Sequence, residues 1–210
     1  MNDPIKEIQR QTQRYWYVDG LNEIGAGILI FLLGLLYLLE WLLSASSLQG
    51  LVTSIGQPVL FIVGLLVINW AVRRLKARLT YPRTGYVAYR REQGGRRVRA
   101  ILLSMILAAG FAIAAIYFGR IGDEKLIPIL IGGLMSGAVI YMGYFFNLRR
   151  FFLVAAVGLV LGTAGAWLAM PQSIAMAVFF NGFGLAWIVS GGVTLANYLR
   201  QTQPALEEDV

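Results

Sequence analysis

The sequence predicts an all-α, polytopic integral membrane protein with six transmembrane helices, and three observations predict this fold class. Hydrophobic residues make up 58% of the 210 residues and charged residues only 14%, which is too little polar surface to cover a water-soluble domain of this size. The apolar residues fall into six stretches, each near the ~20 residues with which an α-helix crosses ~30 Å of hydrocarbon. These stretches also lack the alternation of polar and apolar residues that marks the strands of a membrane barrel.

The first 20 residues precede the apolar stretches, and we expect them to form a short amphipathic helix on the cytoplasmic membrane surface. Asp3 followed by Pro4 is a typical N-cap and first-turn pair, and apolar or aromatic residues recur behind them at near-helical spacing. The apolar stretch that follows is too long for the hydrophobic region of a signal peptide, so it is predicted to remain as the first transmembrane helix.

The apolar stretches and the polar segments between them divide the chain. The predicted spans are residues 24–43, 51–72, 100–118, 126–146, 151–170 and 174–198. The segments are a cytoplasmic N-terminal part (1–20), the first two helices (21–72), a basic cytoplasmic loop (73–99), the last four helices (100–198) and an acidic cytoplasmic tail (199–210). Short connections predict that the last four helices are sequential antiparallel neighbours, while the basic loop holds the first two helices apart from them.

The distribution of Lys and Arg predicts the orientation. With the N-terminus in the cytoplasm, only Arg120 and Lys125 of the 18 basic residues fall on the outer side. Short loops rich in Lys and Arg stay in the cytoplasm, so we expect both termini there, in a cell membrane.

The basic loop is the main candidate for binding. Its ten cations are Arg73, Arg74, Lys76, Arg78, Arg83, Arg90, Arg91, Arg96, Arg97 and Arg99. Cations beside a negatively charged leaflet contribute about 1 kcal/mol each, so the loop is predicted to contact anionic lipid headgroups or an acidic partner. The alternative is that the loop only fixes the orientation of the helices. Nucleic acid is not an expected partner, because no recognition motif accompanies the charge.

The local structure of residues 86–99 is left open by the sequence. Gly94 and Gly95 suit a tight turn after an alternating stretch, which would make a hairpin. The same residues could instead extend the third transmembrane helix toward its N-terminus, and periodicity over so few positions does not distinguish the two.

A few polar side chains and Trp187 fall within the spans or at their edges, and such positions are functional candidates by default. They are Glu23, Glu40, Asn69, Asn181 and Trp187. The two glutamates lie at opposite ends of one helix, about 25 Å apart at the helical rise, so they do not form a catalytic pair. Boundary anchoring or a structural hydrogen bond is favoured for them over an ion or proton site. The asparagines are expected to bond across helices, and the Trp187 N–H to find a partner inside the bundle.

Glycine spacing predicts where helices pack closely. Gly133 with Gly137, and Gly158 with Gly162, form GxxxG patterns in the fourth and fifth spans. Small residues one turn apart allow two helix backbones to approach each other, so we expect tight contacts at these positions.

The absence of His and Cys excludes several chemistries. Zinc proteases, His-dependent serine proteases and thiolate metal sites cannot be assembled, no Asp lies within a span, and no phosphate-binding GxxxxGK[ST] motif is present. We therefore predict no catalytic residue, no cofactor and no metal.

Two classes of function remain. The favoured one is a non-catalytic interaction or assembly component that binds a membrane-protein partner or a second copy of itself. The alternative is a small transporter or channel for a small solute or an anion, and the scarcity of polar residues in the spans argues against it.

Overall fold

The computed structural model of the protein describes residues 19–79, 116–117, 126–168 and 170–202. Within these ranges there is no strand, and five helices are long and apolar enough to cross a membrane. The predicted all-α class is confirmed, and the helices have the length and composition of membrane spans. Most of the N-terminal segment (1–18), most of the basic loop (80–99), nearly all of the predicted third span and most of the acidic tail (203–210) lie outside the described residues. Helical positions 116–117 of the third span are described, and the first residues of the tail continue the last helix.

The helices are numbered in chain order. Helix α1 is Leu21–Leu42, α3 is Leu126–Phe146, α4 is Arg149–Trp167 and α5 is Gln172–Gln201. Helix α2 comprises Gln49–Leu51, a π-helical segment Val52–Gly56 and the long Gln57–Leu79.

Two helices end later than the sequence predicts. Helix α3 has the predicted bounds, but α2 continues from residue 72 to Leu79 and so includes the start of the predicted basic loop. The added residues are mostly Arg, Leu, Lys and Ala, which are strong helix formers, and a helix need not end where the hydrocarbon does. Helix α5 likewise extends to Gln201.

A two-residue connection reverses the chain between α3 and α4. Asn147 adopts a left-handed backbone conformation with φ 55°, which asparagine tolerates better than most residues. The Leu148 N–H donates to the Gly143 carbonyl at 3.0 Å and the Asn147 N–H to the Tyr144 carbonyl at 3.4 Å, which is the pattern of a Schellman C-cap. This tight turn fixes where α4 begins, at Arg149.

The helices form an antiparallel bundle in which α1 packs mainly against α5 and α2, α5 also packs against α4, and α4 against α3. The expected contacts between consecutive helices are present for α3, α4 and α5. The expectation that the first helices are held apart from the rest is wrong, because α1 lies along α5.

Glycines explain the close contact between α1 and α5. Gly20, Gly27 and Gly34 recur every seventh residue and face α5. A Cβ atom at Gly184 of α5 would lie 2.8 Å from the Gly27 carbonyl oxygen and 2.6 Å from the Phe31 backbone nitrogen. The two backbones are therefore in direct contact, and no larger side chain fits between them.

Aromatic and aliphatic side chains fill the interior between α3, α4 and α5. Phe151, Phe179, Phe183 and Met176 are fully buried there. Helix α2 lies at the edge of the described bundle and exposes much of its apolar surface, as expected of a helix that faces lipid.

Candidate functional site: a charged cluster at one end of the bundle

One end of the bundle collects the ionisable side chains. The antiparallel packing brings the start of α1, the end of α2, the start of α4 and the C-terminal part of α5 together. The side chains that meet there, called the charged cluster below, are Asp19, Glu23, Lys76, Arg150 and Ser190. Four of the five helices are thus joined by polar contacts at this end.

Glu23 is the centre of the charged cluster. Its side chain is fully buried, and its Oε1 atom accepts hydrogen bonds from Arg150 Nε at 3.1 Å and Nη2 at 2.5 Å. Its Oε2 atom accepts a hydrogen bond from the Ser190 hydroxyl at 3.0 Å. A buried carboxylate needs both a countercharge and hydrogen-bond donors, and this arrangement provides both. Glu23 therefore links α1 to α4 and α5.

Asp19 and Lys76 form a second ion pair beside the first. Lys76 Nζ lies 3.4 Å from Asp19 Oδ2, and both side chains are buried. The Asp19 Oδ1 atom also accepts a hydrogen bond from the Leu21 N–H at 3.2 Å, which satisfies a backbone donor in the first turn of α1. This pair links α1 to α2.

The surface of the same end remains basic. Asp19 and Glu23 are buried and paired, and one cation balances each of them. Four arginines around them are exposed: Arg73, Arg74, Arg78 and Arg149. The Arg74 guanidinium lies 4.1 Å from the centroid of a Trp70 ring, a cation–π contact at the end of α2. The exposed charge of this end is positive because its acids point inward.

The structure describes four of the ten predicted cations of the basic loop, and six lie outside the described residues: Arg83, Arg90, Arg91, Arg96, Arg97 and Arg99. Lys76 is not available for a surface contact as predicted, because it is buried against Asp19. The reason is the extension of α2, which places Lys76 one turn after the buried Val72 on the face toward α1.

The other polar candidates do not join the charged cluster. Glu40 lies half-buried at the opposite end of α1, and Asn69 lies on the exposed surface of α2. The Asn181 amide donates to the Ala177 carbonyl of its own helix at 2.8 Å, and the expected bond across helices is not seen among the described residues. Within the described part of the chain, the buried indole N–H of Trp187 has no hydrogen-bond partner, contrary to the prediction. Its ring packs between Phe151 and Phe183 instead.

The predicted glycine contacts are found on one of the two helices. Gly158 and Gly162 of α4 face α3, where they meet Ser136 and Gly132. A Cβ atom at Gly133 or Gly137 would meet nothing within 4 Å among the described residues. The contact face of α3 therefore uses a glycine and a serine four residues apart, one position away from the predicted glycines.

Sequence reasoning did not identify Asp19, Arg150 and Ser190 as partners. A signal was available for Arg150: it lies at the same predicted membrane boundary as Glu23 and carries the opposite charge. No such signal marks Ser190, whose role depends on the rotation of α5 against α1.

The sequence matches no protein-family model, and comparisons with curated proteins and with solved structures find no match either.

Proposed function

We propose that the protein is a non-catalytic assembly component of a cell membrane, with six transmembrane helices and both termini in the cytoplasm, whose basic cytoplasmic face binds anionic lipid headgroups. The observation that carries this proposal is the asymmetry of the charged end, where both acids are buried and paired while Arg73, Arg74, Arg78 and Arg149 are exposed. The surface offered to the surroundings is therefore cationic.

Electrostatics favours a negatively charged leaflet for such a surface. Each exposed cation near it contributes about 1 kcal/mol, so four of them give a substantial attraction that salt weakens. The positive-inside rule places this end in the cytoplasm, because the predicted basic loop continues from α2 at the same end. An acidic protein would be attracted by the same charges and is the competing ligand.

The packing of the interior supports assembly rather than transport. In the described helices, the space between α3, α4 and α5 is filled by Phe151, Phe179, Phe183 and Met176. A route for water or ions needs polar side chains along its length, and the buried ionisable groups are confined to one end.

Lipid selectivity tests the proposal. The full-length protein is purified in mild detergent, exchanged into mixed phosphatidylglycerol and phosphatidylcholine, and its bound lipids are counted by native mass spectrometry. We expect phosphatidylglycerol to be retained preferentially, and the variant Arg73→Gln/Arg74→Gln/Arg78→Gln/Arg149→Gln to lose most of that preference. The control is Arg120→Gln/Lys125→Gln, which removes the two cations predicted on the outer side.

Two outcomes would contradict the proposal. Equal retention of both lipids by the wild-type protein would contradict the proposed binding of anionic lipid. If an acidic protein then co-purified in stoichiometric amount, it would be the competing ligand. Solute flux in liposomes that depends on Glu23 would favour the transporter alternative.

A further inference from the structure

The turn between α3 and α4 forms an open cavity at the edge of the charged cluster, with which it shares Arg150, and outside the predicted basic loop. Asn147, Leu148, Arg149 and Arg150 line it, and its volume is about 430 Å³. The Schellman cap holds the backbone of Asn147 and Leu148, which lines one side of the cavity.

The cavity carries a net positive charge. The Arg150 side chain is partly exposed, and the buried carboxylate of Glu23 balances its charge. Arg149 is exposed and forms no ion pair with any described residue. One cation of the lining therefore has no countercharge among the described residues, which makes the cavity suited to an anionic group.

The position of the cavity favours an anion carried by a lipid. Tyr144, one turn before the cavity, is 76% exposed, and Leu153, one turn after it, is 72% exposed. Exposed tyrosines are typical of the headgroup level of a membrane, and an exposed leucine in a spanning helix faces acyl chains. The cationic cavity thus lies at the boundary between the headgroup level and the hydrocarbon.

We infer that this cavity binds the phosphate of an anionic phospholipid headgroup, with Arg149 as the main contact and Arg150 held in place by Glu23. The inference rests on the proposed function, because it assumes that the basic end faces the headgroups. The zwitterionic phosphocholine headgroup adds a quaternary ammonium cation that the cavity would repel, so phosphatidylglycerol is preferred over phosphatidylcholine. The shared chemistry is a phosphate group, which phosphate ions in solution also offer.

A pair of matched arginine variants tests the site. Arg149→Gln removes the cation of the cavity that pairs with no described residue, and it leaves the contact between Glu23 and Arg150 in place. Arg200→Gln removes an exposed arginine in the last turn of α5, at the same end of the bundle and outside the cavity. With native mass spectrometry of the full-length protein titrated with phosphatidylglycerol, we expect Arg149→Gln to weaken the tightest binding step about tenfold, as loss of a charge-assisted contact does. We expect Arg200→Gln to change it less than about twofold, and Arg149→Lys to restore part of the affinity.

The outcomes separate this site from the general proposal. Equal weakening by Arg149→Gln and Arg200→Gln would overturn the cavity site and leave binding by the whole basic face intact. A wild-type protein without preference for phosphatidylglycerol would overturn the proposed function itself. Binding of inorganic phosphate that is lost in Arg149→Gln, together with an unchanged lipid affinity, would assign the cavity to phosphate from solution and overturn the lipid assignment. An unchanged unfolding midpoint of each variant in detergent shows that the fold is retained.

Discussion

Glu23 is fully buried in a helix with the composition of a membrane span, where an isolated carboxylate would be strongly destabilising. Three hydrogen bonds and one countercharge make this position tolerable. Removing one partner of such a pair is worse than removing both, because the remaining charge stays buried without compensation. The ion pair between Glu23 and Arg150 therefore also favours arrangements in which α1 and α4 lie close enough for the two side chains to meet.

We predict that Glu23→Gln lowers the free energy of unfolding by about 2 kcal/mol, less than for a pair with two fully buried partners because Arg150 keeps some contact with solvent. The double variant Glu23→Gln/Arg150→Gln should be more stable than the sum of its single variants implies, since it leaves no charge unpaired. Reversible unfolding in mixed detergent micelles measures these differences.

The control for Glu23→Gln is Glu40→Gln, which removes the other carboxylate of α1 at the opposite, half-buried end. Its effect should be less than about 0.5 kcal/mol. Equal effects of the two glutamine variants would show that the charged cluster contributes nothing specific to Glu23.

The sequence was sufficient to mark Glu23 as exceptional but not to find its partners. An ionisable side chain in a span is rare enough to be noticed from composition alone. Its pairing with Arg150 depends on which helix lies beside α1, and its bond to Ser190 on how α5 is rotated. Helices that are apolar on all sides carry little periodic signal about either.

At the level of the helices, two helices approach each other most closely where glycine replaces a larger side chain on their facing surfaces. Gly27 and Gly184 allow α1 and α5 to touch through their backbones, and dispersion forces act best at this short distance. In a lipid solvent, where burying apolar surface between helices gains little, such close contacts are a main source of stability.

We predict that Gly184→Ala destabilises the protein by about 1–3 kcal/mol, because the new Cβ atom would lie within 3 Å of backbone atoms of α1 that have no room to move. Gly192→Ala in the same helix is the control, since a Cβ atom there meets nothing within 4 Å among the described residues. We expect this control to be neutral or slightly stabilising, as alanine favours a helix more than glycine does. Equal losses in the two variants would contradict the described packing of α1 on α5.

The contact face of α3 gives a second prediction about helix packing. Gly132→Ala should destabilise the protein by about 1–3 kcal/mol, because its Cβ atom would lie 2.8 Å from Gly162 Cα. Gly133→Ala, one position along, should have little effect. The unfolding midpoints of the two variants in detergent compare them directly, and the reverse order would support the glycine pattern that the sequence predicts.

This difference of one residue shows what a spacing rule misses. Small residues one turn apart do mark the α3 and α4 interface, but on α3 they are Gly132 and Ser136. A search for glycine alone selected Gly133 and Gly137, because serine also permits close approach and is not counted in a GxxxG pattern.

For the whole molecule, the composition and length of the apolar stretches predicted the fold class and the spans, whereas the spacing of residues predicted little about which helices are neighbours. The class and most spans follow from the length of the apolar stretches, and α3 has the predicted bounds. The order of helices in space does not follow, because α1 inserts beside α5, far along the chain. Loop lengths indicate neighbours only where connections are short.

The charge asymmetry of the whole molecule predicts a defined orientation, and the absence of cysteine makes the test clean. Ala77→Cys lies at the charged end of α2, and Ser46→Cys in the exposed connection between α1 and α2 at the other end. In intact cells, a membrane-impermeant maleimide should label Ser46→Cys only, and Ala77→Cys should react after the membrane is opened. Labelling of both from outside would contradict an orientation with the charged end in the cytoplasm.

The distance along the chain between Glu23 and its partners has a consequence for biogenesis. Arg150 is 127 residues and Ser190 167 residues downstream of Glu23. A ribosome that synthesises the chain from its N-terminus therefore delivers α1 to the insertion machinery long before any of these donors exists. Until the last helix is inserted and packs against the first, the Glu23 carboxylate lacks these donors. During that time it must lie at the headgroup boundary or inside the translocon.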